Sequence, residues 1–412
     1  MNFNQRFKCL ACESLIDARL GMSNRDVQSI RFACLSCGEA IEITISDSDK
    51  VKIKGAEKVD FEGPFDGSFP FVDIHIDFPV SFDKYVMGQT PFLKALGRIG
   101  HENYRVHNFR LDSLNVLYKK VDVIKRIIRL YKKNPDLFGR LCKKEFDEEL
   151  QSSEQKDLNL ALYCVLAKVF YPFSLPSDNI ESVELYTKIT TDLHANKRSA
   201  FNRFMKEAID SGFLKNLQED CLEMYPQMLA AELAFRPALF LDFDKGYEKG
   251  LVGFRVSVSD FQSYKDLYKD LSEIISRQLV LVGGMNNVIH RDDHNNFLNV
   301  GKRTPKCMND FADVAFGEKS NYLDDCWYSV DAEAIDNKLR NSIAHFKAEY
   351  EETTQLITYY PRREGIKQEK SETMYFMDFI RKTLISYREM HRLHQLIKCL
   401  FNYYFIVYEE NA

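Results

Sequence analysis

The chain has 412 residues, of which 45% are hydrophobic and 28% charged, and its formal net charge is −5 at pH 7. This length predicts two or three domains, and the composition excludes a wholly disordered chain. The negative net charge excludes a globally basic nucleic-acid-binding protein. The sequence shows neither an apolar run of ~18 residues nor a signal peptide, so we expect a cytoplasmic protein with no membrane contact.

Residues 1–50 carry two Cys-x2-Cys pairs separated by 21 residues, formed by Cys9, Cys12, Cys34 and Cys37. Residues 29–33 and 39–45, on either side of the second pair, have the pattern of strands. We predict a zinc ribbon in which four thiolates bind one structural zinc. The alternative, disulfides or redox motifs, is disfavoured in a reducing cytoplasm. A site with four protein ligands is closed, so this zinc is expected to build structure and take no part in catalysis.

Residues 51–92 hold much of the early Pro and Gly and predict a small β-rich connector. Within it, residues 72–78 alternate between apolar and polar side chains, which predicts a strand with His75 facing solvent. Residues 93–255 predict a helical middle domain, because apolar residues recur at helical spacing and prolines separate the helices.

A local basic stretch lies in this middle domain, where residues 105–144 contain 12 Lys or Arg and 3 Asp or Glu. One predicted helix face carries Lys119, Arg126, Arg129 and Lys133. A solvated helix face and a phosphate-binding surface both fit this pattern, and an acidic run follows at 145–149.

Residues 256–412 have the clearest helical signal. The predicted elements are a long helix at 262–290, a polar loop at 291–330, a helix at 331–345, a β-hairpin at 350–361 and a final helix at 373–408. The segment His290, Arg291, Asp292, Asp293, His294 has two imidazoles four residues apart and two carboxylates. That spacing suits a transition metal on a helix, but a solvated helix end is the preferred interpretation.

The candidate catalytic residues are Arg340, Asn341 and His345, within the segment Leu-Arg-Asn-Ser-Ile-Ala-His-Phe. Arginine presents a fixed fork of donors to a phosphate, histidine exchanges protons near neutral pH, and asparagine can orient either group. Positions five apart on a helix are separated by about 140°. Arg340 and His345 therefore need a second surface to close a pocket, which a two-fold partner with the same helix would supply.

This segment, on a helix after a long partner helix and before a hairpin and a long C-terminal helix, resembles the HEPN superfamily, whose ribonucleases carry an Arg-x4–6-His motif. The resemblance covers about residues 256–412. It implies a dimeric, metal-independent endoribonuclease with Arg340, Asn341 and His345 at a composite interface, and a role as a toxin or anti-phage effector. It also implies an acidic or polar residue on the preceding helix facing the motif, for which Glu273 and Asp270 are both candidates, and a surface role is the preferred alternative for both.

The expected fold is mainly α: a zinc ribbon, a connector, a helical middle domain and a HEPN-like bundle with an inserted hairpin. The leading functional hypothesis is RNA cleavage through 2′-hydroxyl attack, by a homodimer formed through the C-terminal domain. Expected partners are RNA and a phage or antitoxin protein. The alternative is a non-catalytic interaction protein that binds nucleic acid or a protein. A DNA-binding regulator ranks last, since residues 1–50 hold 6 Arg or Lys and 7 Asp or Glu.

Overall fold

The computed structural model describes residues 2–46, 51–175, 178–244, 246–247, 253–258, 261–361 and 370–408. Among these residues the chain is mainly α-helical, as predicted, with four small sheets. Parts of the predicted ribbon, middle domain and C-terminal domain, such as residues 47–50, 248–252, 362–369 and 409–412, lie outside the described residues.

The strands are β1 (Asn2–Cys9), β2 (Leu15–Gly21), β3 (Val27–Ala33), β4 (Ala40–Ser46), β5 (Val51–Lys54), β6 (Ala56–Val59), β7 (Phe71–Ile74), β8 (Val80–Ser81), β9 (Phe254–Arg255), β10 (Ala348–Glu351), β11 (Leu356–Tyr359) and β12 (Glu372–Tyr375). The α-helices are α1 (Pro91–Leu117), α2 (Val121–Lys133), α3 (Pro135–Phe146), α4 (Gln155–Phe170), α5 (Asp178–Asp210), α6 (Phe213–Ala230), α7 (Glu232–Phe240), α8 (Phe261–Arg291), α9 (Met308–Ala312), α10 (Asn337–Ala344) and α11 (Phe376–Asn402).

Contacts divide the chain into two units, each built from three segments. The first unit is Met1–Lys119, Ala230–Asp266 and Asn341–Leu384. The second unit is Lys120–Leu229, Leu267–Arg340 and Ile385–Ala412. The sequence-based division into four domains stays a prediction.

Two antiparallel hairpins begin the first unit, β1 with β2 and β3 with β4. The predicted strands at 29–33 and 39–45 are confirmed. β5 pairs with β4, β6 with β1, and β7 runs parallel to β2, so residues 51–92 add strands to both hairpins. Phe7, Ile16, Ile30 and Ile41, all almost fully buried, fill the core between the strands.

The prediction that His75 faces solvent is wrong, because His75 is buried together with Val72, Asp73 and Ile74. The alternating polar residues are paired inside the unit: the Asp73 carboxylate lies 2.5 Å from the Arg19 guanidinium. The predicted strand 72–78 is also shorter than expected, since β7 ends at Ile74.

The C-terminal predictions hold in outline. The long helix at 262–290 is confirmed as α8, and the hairpin at 350–361 as β10 and β11. The predicted final helix begins too early, because residues from Glu372 to Tyr375 form a third strand beside β11. The predicted polar loop contains α9, whose Phe311 packs in a small apolar cluster of the second unit.

Candidate functional site

The two Cys-x2-Cys pairs occupy two copies of the same tight turn in the first unit. In each turn the first cysteine accepts a hydrogen bond from the backbone N–H four residues later, Glu13 to Cys9 at 2.9 Å and Gly38 to Cys34 at 2.8 Å. Both donor residues have a positive φ, 60° and 78°, which favours glycine at the second position. These turns connect β1 to β2 and β3 to β4, so each hairpin presents two thiols.

The four sulfur atoms of Cys9, Cys12, Cys34 and Cys37 lie within 4.8 Å of one another and can hold a metal ion. The Cys9–Cys37 and Cys12–Cys34 sulfur distances are 3.8 and 3.7 Å. Tetrahedral zinc with bonds of about 2.3 Å needs neighbouring sulfurs about 3.8 Å apart, so the spacing fits zinc. Hydrogen bonds from Ser14 lower the pKa of the Cys12 thiol to about 6, whereas burial raises the pKa of Cys34, so a bound metal would be needed to hold all four cysteines as thiolates.

Helix α10 carries Arg340 and Asn341 and begins later than the predicted 331. The Asp336 carboxylate accepts hydrogen bonds from the backbone N–H groups of Lys338 and Leu339 at 2.9 and 3.1 Å. An aspartate in this position satisfies donors that have no helical partner, so it fixes where the helix starts. Leu339 is buried on the opposite side from the exposed Asn341.

Arg340 is held by an ion pair within the second unit. Its Nη2 donates to Oε1 of Glu273 on α8, and the two side chains are 20% and 50% exposed. The sequence does not distinguish Glu273 from Asp270 as the acidic residue that faces the motif, and in the structure Arg340 pairs with Glu273. An ion pair this exposed adds little stability, so its main effect is to fix the direction of the guanidinium. The Arg340 Nη1 has no partner among the described residues.

His345 lies directly after α10 in the first unit. Its backbone N–H donates to the Asn341 carbonyl at 3.0 Å, while its side chain is exposed and has no hydrogen bond to a described residue. Phe346 follows with a φ of 58° and a side chain that is 88% exposed. A bulky residue in the left-handed region costs about 1–2 kcal/mol, and glycine would avoid it. The helix therefore ends in a strained turn that exposes an imidazole and an aromatic ring.

The segment 290–294 does not form a metal cluster. α8 ends at Arg291, and His294 Nε2 lies 2.7 Å from Glu207 while Asp292 lies 2.9 Å from Lys197. Throughout the described part of the chain, the four N-terminal cysteines are the one group of three or more His, Cys, Asp or Glu side chains close enough to share an ion.

Three of the four cations predicted to share a helix face do so, and the prediction is wrong for the fourth, Lys119. Lys119 lies in a 3₁₀ turn before α2, where its Nζ is 2.5 Å from the Asp26 carboxylate. Arg126, Arg129 and Lys133 are exposed on one face of α2, and none makes an ion pair with a described residue.

Sequence reasoning missed a buried charge network in the first unit. Arg236 is fully buried, and its guanidinium donates to Glu232 at 2.5 Å and to Asp77 at 2.8 Å. Arg25 donates to the other Glu232 oxygen at 3.0 Å. One signal was available, because Glu232 and Arg236 lie four residues apart in an otherwise apolar helix.

Two buried histidines in the second unit were also missed. His391 and His394 on α11 both bond to the Tyr225 hydroxyl, at 2.7 and 2.8 Å, and His394 also bonds to Tyr163 at 3.0 Å. Burial lowers the pKa of His394 to about 3, and it moves the pKa of His391 in the same direction. Both are neutral at pH 7 and link α4, α6 and α11.

No family model, curated protein or solved structure matches this chain. No described helix combines the length and the apolar character needed to cross a membrane.

Proposed function

We propose that this protein is a metal-independent endoribonuclease whose residues 256–412 form a HEPN-like helical bundle. The observation that carries the proposal is the ion pair between Arg340 and Glu273. The resemblance asks for an acidic residue on the preceding helix, and this pair fits that expectation. The exposed His345 and Asn341 add the proton carrier and the orienting amide that RNA cleavage needs.

The proposed reaction breaks one P–O bond and forms another. The RNA 2′-oxygen loses its proton, attacks the adjacent phosphorus and displaces the 5′-oxygen of the next nucleotide. The products are a 2′,3′-cyclic phosphate and a 5′-hydroxyl, so one proton is removed and one is supplied. His345 is the proposed base or acid, and Arg340 is the proposed stabiliser of charge on the phosphoryl oxygens.

A second copy of the chain completes the proposed site. On an ideal helix positions 340 and 345 are about 140° apart, and His345 itself follows the last residue of α10, so one copy is not expected to surround a phosphate. A two-fold partner supplies a second His345, which allows one imidazole to take the 2′ proton and the other to protonate the leaving oxygen. The exposed Phe346 ring is an apolar surface that such a partner would cover.

The remaining parts have supporting roles in this proposal. A structural zinc bound by the four cysteines holds the two N-terminal hairpins together and supplies no catalytic chemistry. The exposed cations of α2 attract the RNA backbone. A cytoplasmic toxin or anti-phage effector, restrained or triggered by an antitoxin or phage protein, follows from the HEPN resemblance.

The test uses the full-length chain with a mixed RNA pool, in a buffer in which EDTA removes free divalent cations. Wild type should leave 2′,3′-cyclic phosphate ends, and His345→Ala should lower the cleavage rate at least about 100-fold, the usual contribution of a proton-transfer group. His101→Ala, which removes another exposed histidine, is the matched control and should cleave normally.

Equal cleavage by wild type and His345→Ala would contradict the proposal, because the activity would then come from another site or a contaminant. Absence of cleavage by either protein across varied RNAs, with retained dimerisation, would favour the interaction protein instead. Zinc content measured after the assay shows whether EDTA has disturbed the N-terminal hairpins.

A further inference from the structure

A pocket of about 160 Å³ opens on the first unit. One wall is a single face of α1, after the kink at Gly100, where the φ is 75°. The pocket-lining residues of this face, at helical spacing, are Tyr104, Asn108, Leu111, Asp112 and Asn115. The exposed Asp112 lies at the mouth, and His75, Asp77 and Phe78 form a buried floor. Polar side chains on the inward face of a helix suggest a ligand, since a purely structural face would be apolar.

The buried Asp77 carboxylate in the pocket floor is paired with a buried cation, Arg236. Burial, the largest effect, raises the pKa of Asp77, but the positive charge of Arg236 together with hydrogen bonds from Ser23 and Arg236 brings that pKa below its ordinary value. Asp77 is therefore ionised and neutralised by Arg236, at 2.8 Å. The Asp77–Arg236 pair therefore adds no net charge to the pocket floor.

Two polar side chains are left with fixed donor roles. Asn115 accepts a hydrogen bond from Arg236 Nη2 at 2.5 Å. Arginine can only donate, so the Asn115 oxygen faces it and the amide NH₂ remains for the pocket.

The second donor is His75. Its Nδ1 accepts a hydrogen bond from the Asp77 backbone N–H at 3.1 Å, and burial lowers the pKa of the imidazole to about 4. The neutral ring therefore carries its proton on Nε2, which has no partner among the described residues. Gly21 permits this ring position, because a Cβ there would lie 2.3 Å from His75 Cδ2.

Aromatic rings line the pocket beside these donors. Phe92 and Tyr104 meet edge to face with centroids 5.4 Å apart, and the Phe78 ring lies 6.0 Å from that of Tyr104. Phe92 is partly exposed at 36%, so an aromatic surface continues to the mouth. Aromatic faces of this kind stack on nucleobases without needing a charge.

We infer that this pocket binds one pyrimidine base, carried by a free nucleoside or by an unpaired nucleotide of an RNA strand. A cavity of 150 Å³ holds a benzene-sized ring, so about 160 Å³ suits a single ring better than a purine. The His75 and Asn115 donors match the O2 and N3 acceptors of cytosine. Asp112 at the mouth can accept hydrogen bonds from ribose hydroxyls, as acidic residues do in dinucleotide sites.

Binding is measured by isothermal titration of the full-length chain with cytidine, uridine, adenosine, guanosine and ribose. Cytidine should bind saturably and at least tenfold more tightly than either purine nucleoside. Asn108→Leu, which fills the polar face of α1, should weaken that binding at least tenfold. Asn103→Leu on the same helix, outside the pocket lining, should not change it.

A second arm titrates a short single-stranded RNA with one cytidine, and the same strand with an abasic site at that position. If free cytidine does not bind but the cytidine strand binds more tightly than the abasic strand, and Asn108→Leu removes the difference, the base comes from RNA. Failure of every nucleoside and equal binding of both strands would overturn the inference, as would purine nucleosides binding as tightly as cytidine. These readouts need no cleavage, so they are separate from the fate of the ribonuclease proposal.

Discussion

Replacing Arg236 with methionine should destabilise the first unit strongly. Arg236 is fully buried and donates to Asp77, Glu232 and Asn115 at 2.8, 2.5 and 2.5 Å. Methionine fills much of the same volume but offers no donor. Glu232 keeps its bond to Arg25, so Asp77 is the carboxylate left buried without a cation.

Removing one partner of a buried ion pair costs about 3–5 kcal/mol, because the remaining charge stays away from water. The loss should depend on pH. In the wild type burial raises the pKa of Asp77, but the charge and hydrogen bond of Arg236 and a hydrogen bond from Ser23 together lower it below its ordinary value. The stabilising effect of this carboxylate is therefore present at neutral pH and is lost as pH falls through that pKa. In the variant the isolated carboxylate is protonated more readily, so the difference between the proteins should be largest near pH 7 and smaller near pH 4.5.

The assay is urea unfolding followed by far-ultraviolet circular dichroism at both pH values. Lys125→Met is the control, because the Lys125–Asp122 pair is 4.0 Å long and exposed, and its loss should change the unfolding free energy by less than about 1 kcal/mol. If Arg236→Met does not fold, adding Asp77→Asn should restore part of the stability. A loss for Arg236→Met below about 1 kcal/mol, or an equal loss at both pH values, would show that Arg236 does not stabilise the buried Asp77 carboxylate.

Further outcomes are expected. Metal analysis should find one zinc per wild-type chain and almost none in Cys9→Ser, while Cys307→Ser keeps the metal; an unchanged zinc content in Cys9→Ser would contradict the four-thiolate site. Glu273→Gln should slow RNA cleavage, because the Arg340 guanidinium is no longer held in place, yet it should change the free energy of unfolding by less than about 1 kcal/mol. A large loss of stability with normal cleavage would argue against an orienting role for Glu273. Gly283→Ala should lower the melting temperature, because its Cβ would lie 2.5 Å from a ring carbon of Phe311. Gly97→Ala, on an open helix face, should instead raise the free energy of unfolding by up to about 1 kcal/mol. A change of the same sign in both variants would contradict this difference in packing.

Features encoded by local spacing were predictable. The cysteine pairs set the positions of the two turns, because a tetrathiolate site needs two thiols from each hairpin. The apolar period of α8 and the strand formers around Tyr350 and Leu356 were similarly local signals. The candidates Glu273 and Asp270 came from the family resemblance and not from local spacing, and the ion pair of Glu273 with Arg340 depends on the packing of α8 against α10.

Features that depend on distant partners were not predictable. His75 was expected to face solvent because its strand alternates, but an alternating pattern does not show which side chains are paired inside the unit. The partner of Asp77 is Arg236, 159 residues away. The late start of α10 depended on the Asp336 side chain, and the strand at 372–375 depended on β11 being available to pair with it.

The proposed function depends on 2′-hydroxyl attack assisted by His345. The most direct measurement compares cleavage of one RNA strand with that of the same strand carrying 2′-O-methyl groups, using full-length protein without free divalent metal. Wild type should cleave the RNA and leave the methylated strand intact, and the His345→Ala substitution should abolish the cleavage. Cleavage of the methylated strand at a similar rate, or undiminished cleavage of RNA by His345→Ala, would contradict the proposed function.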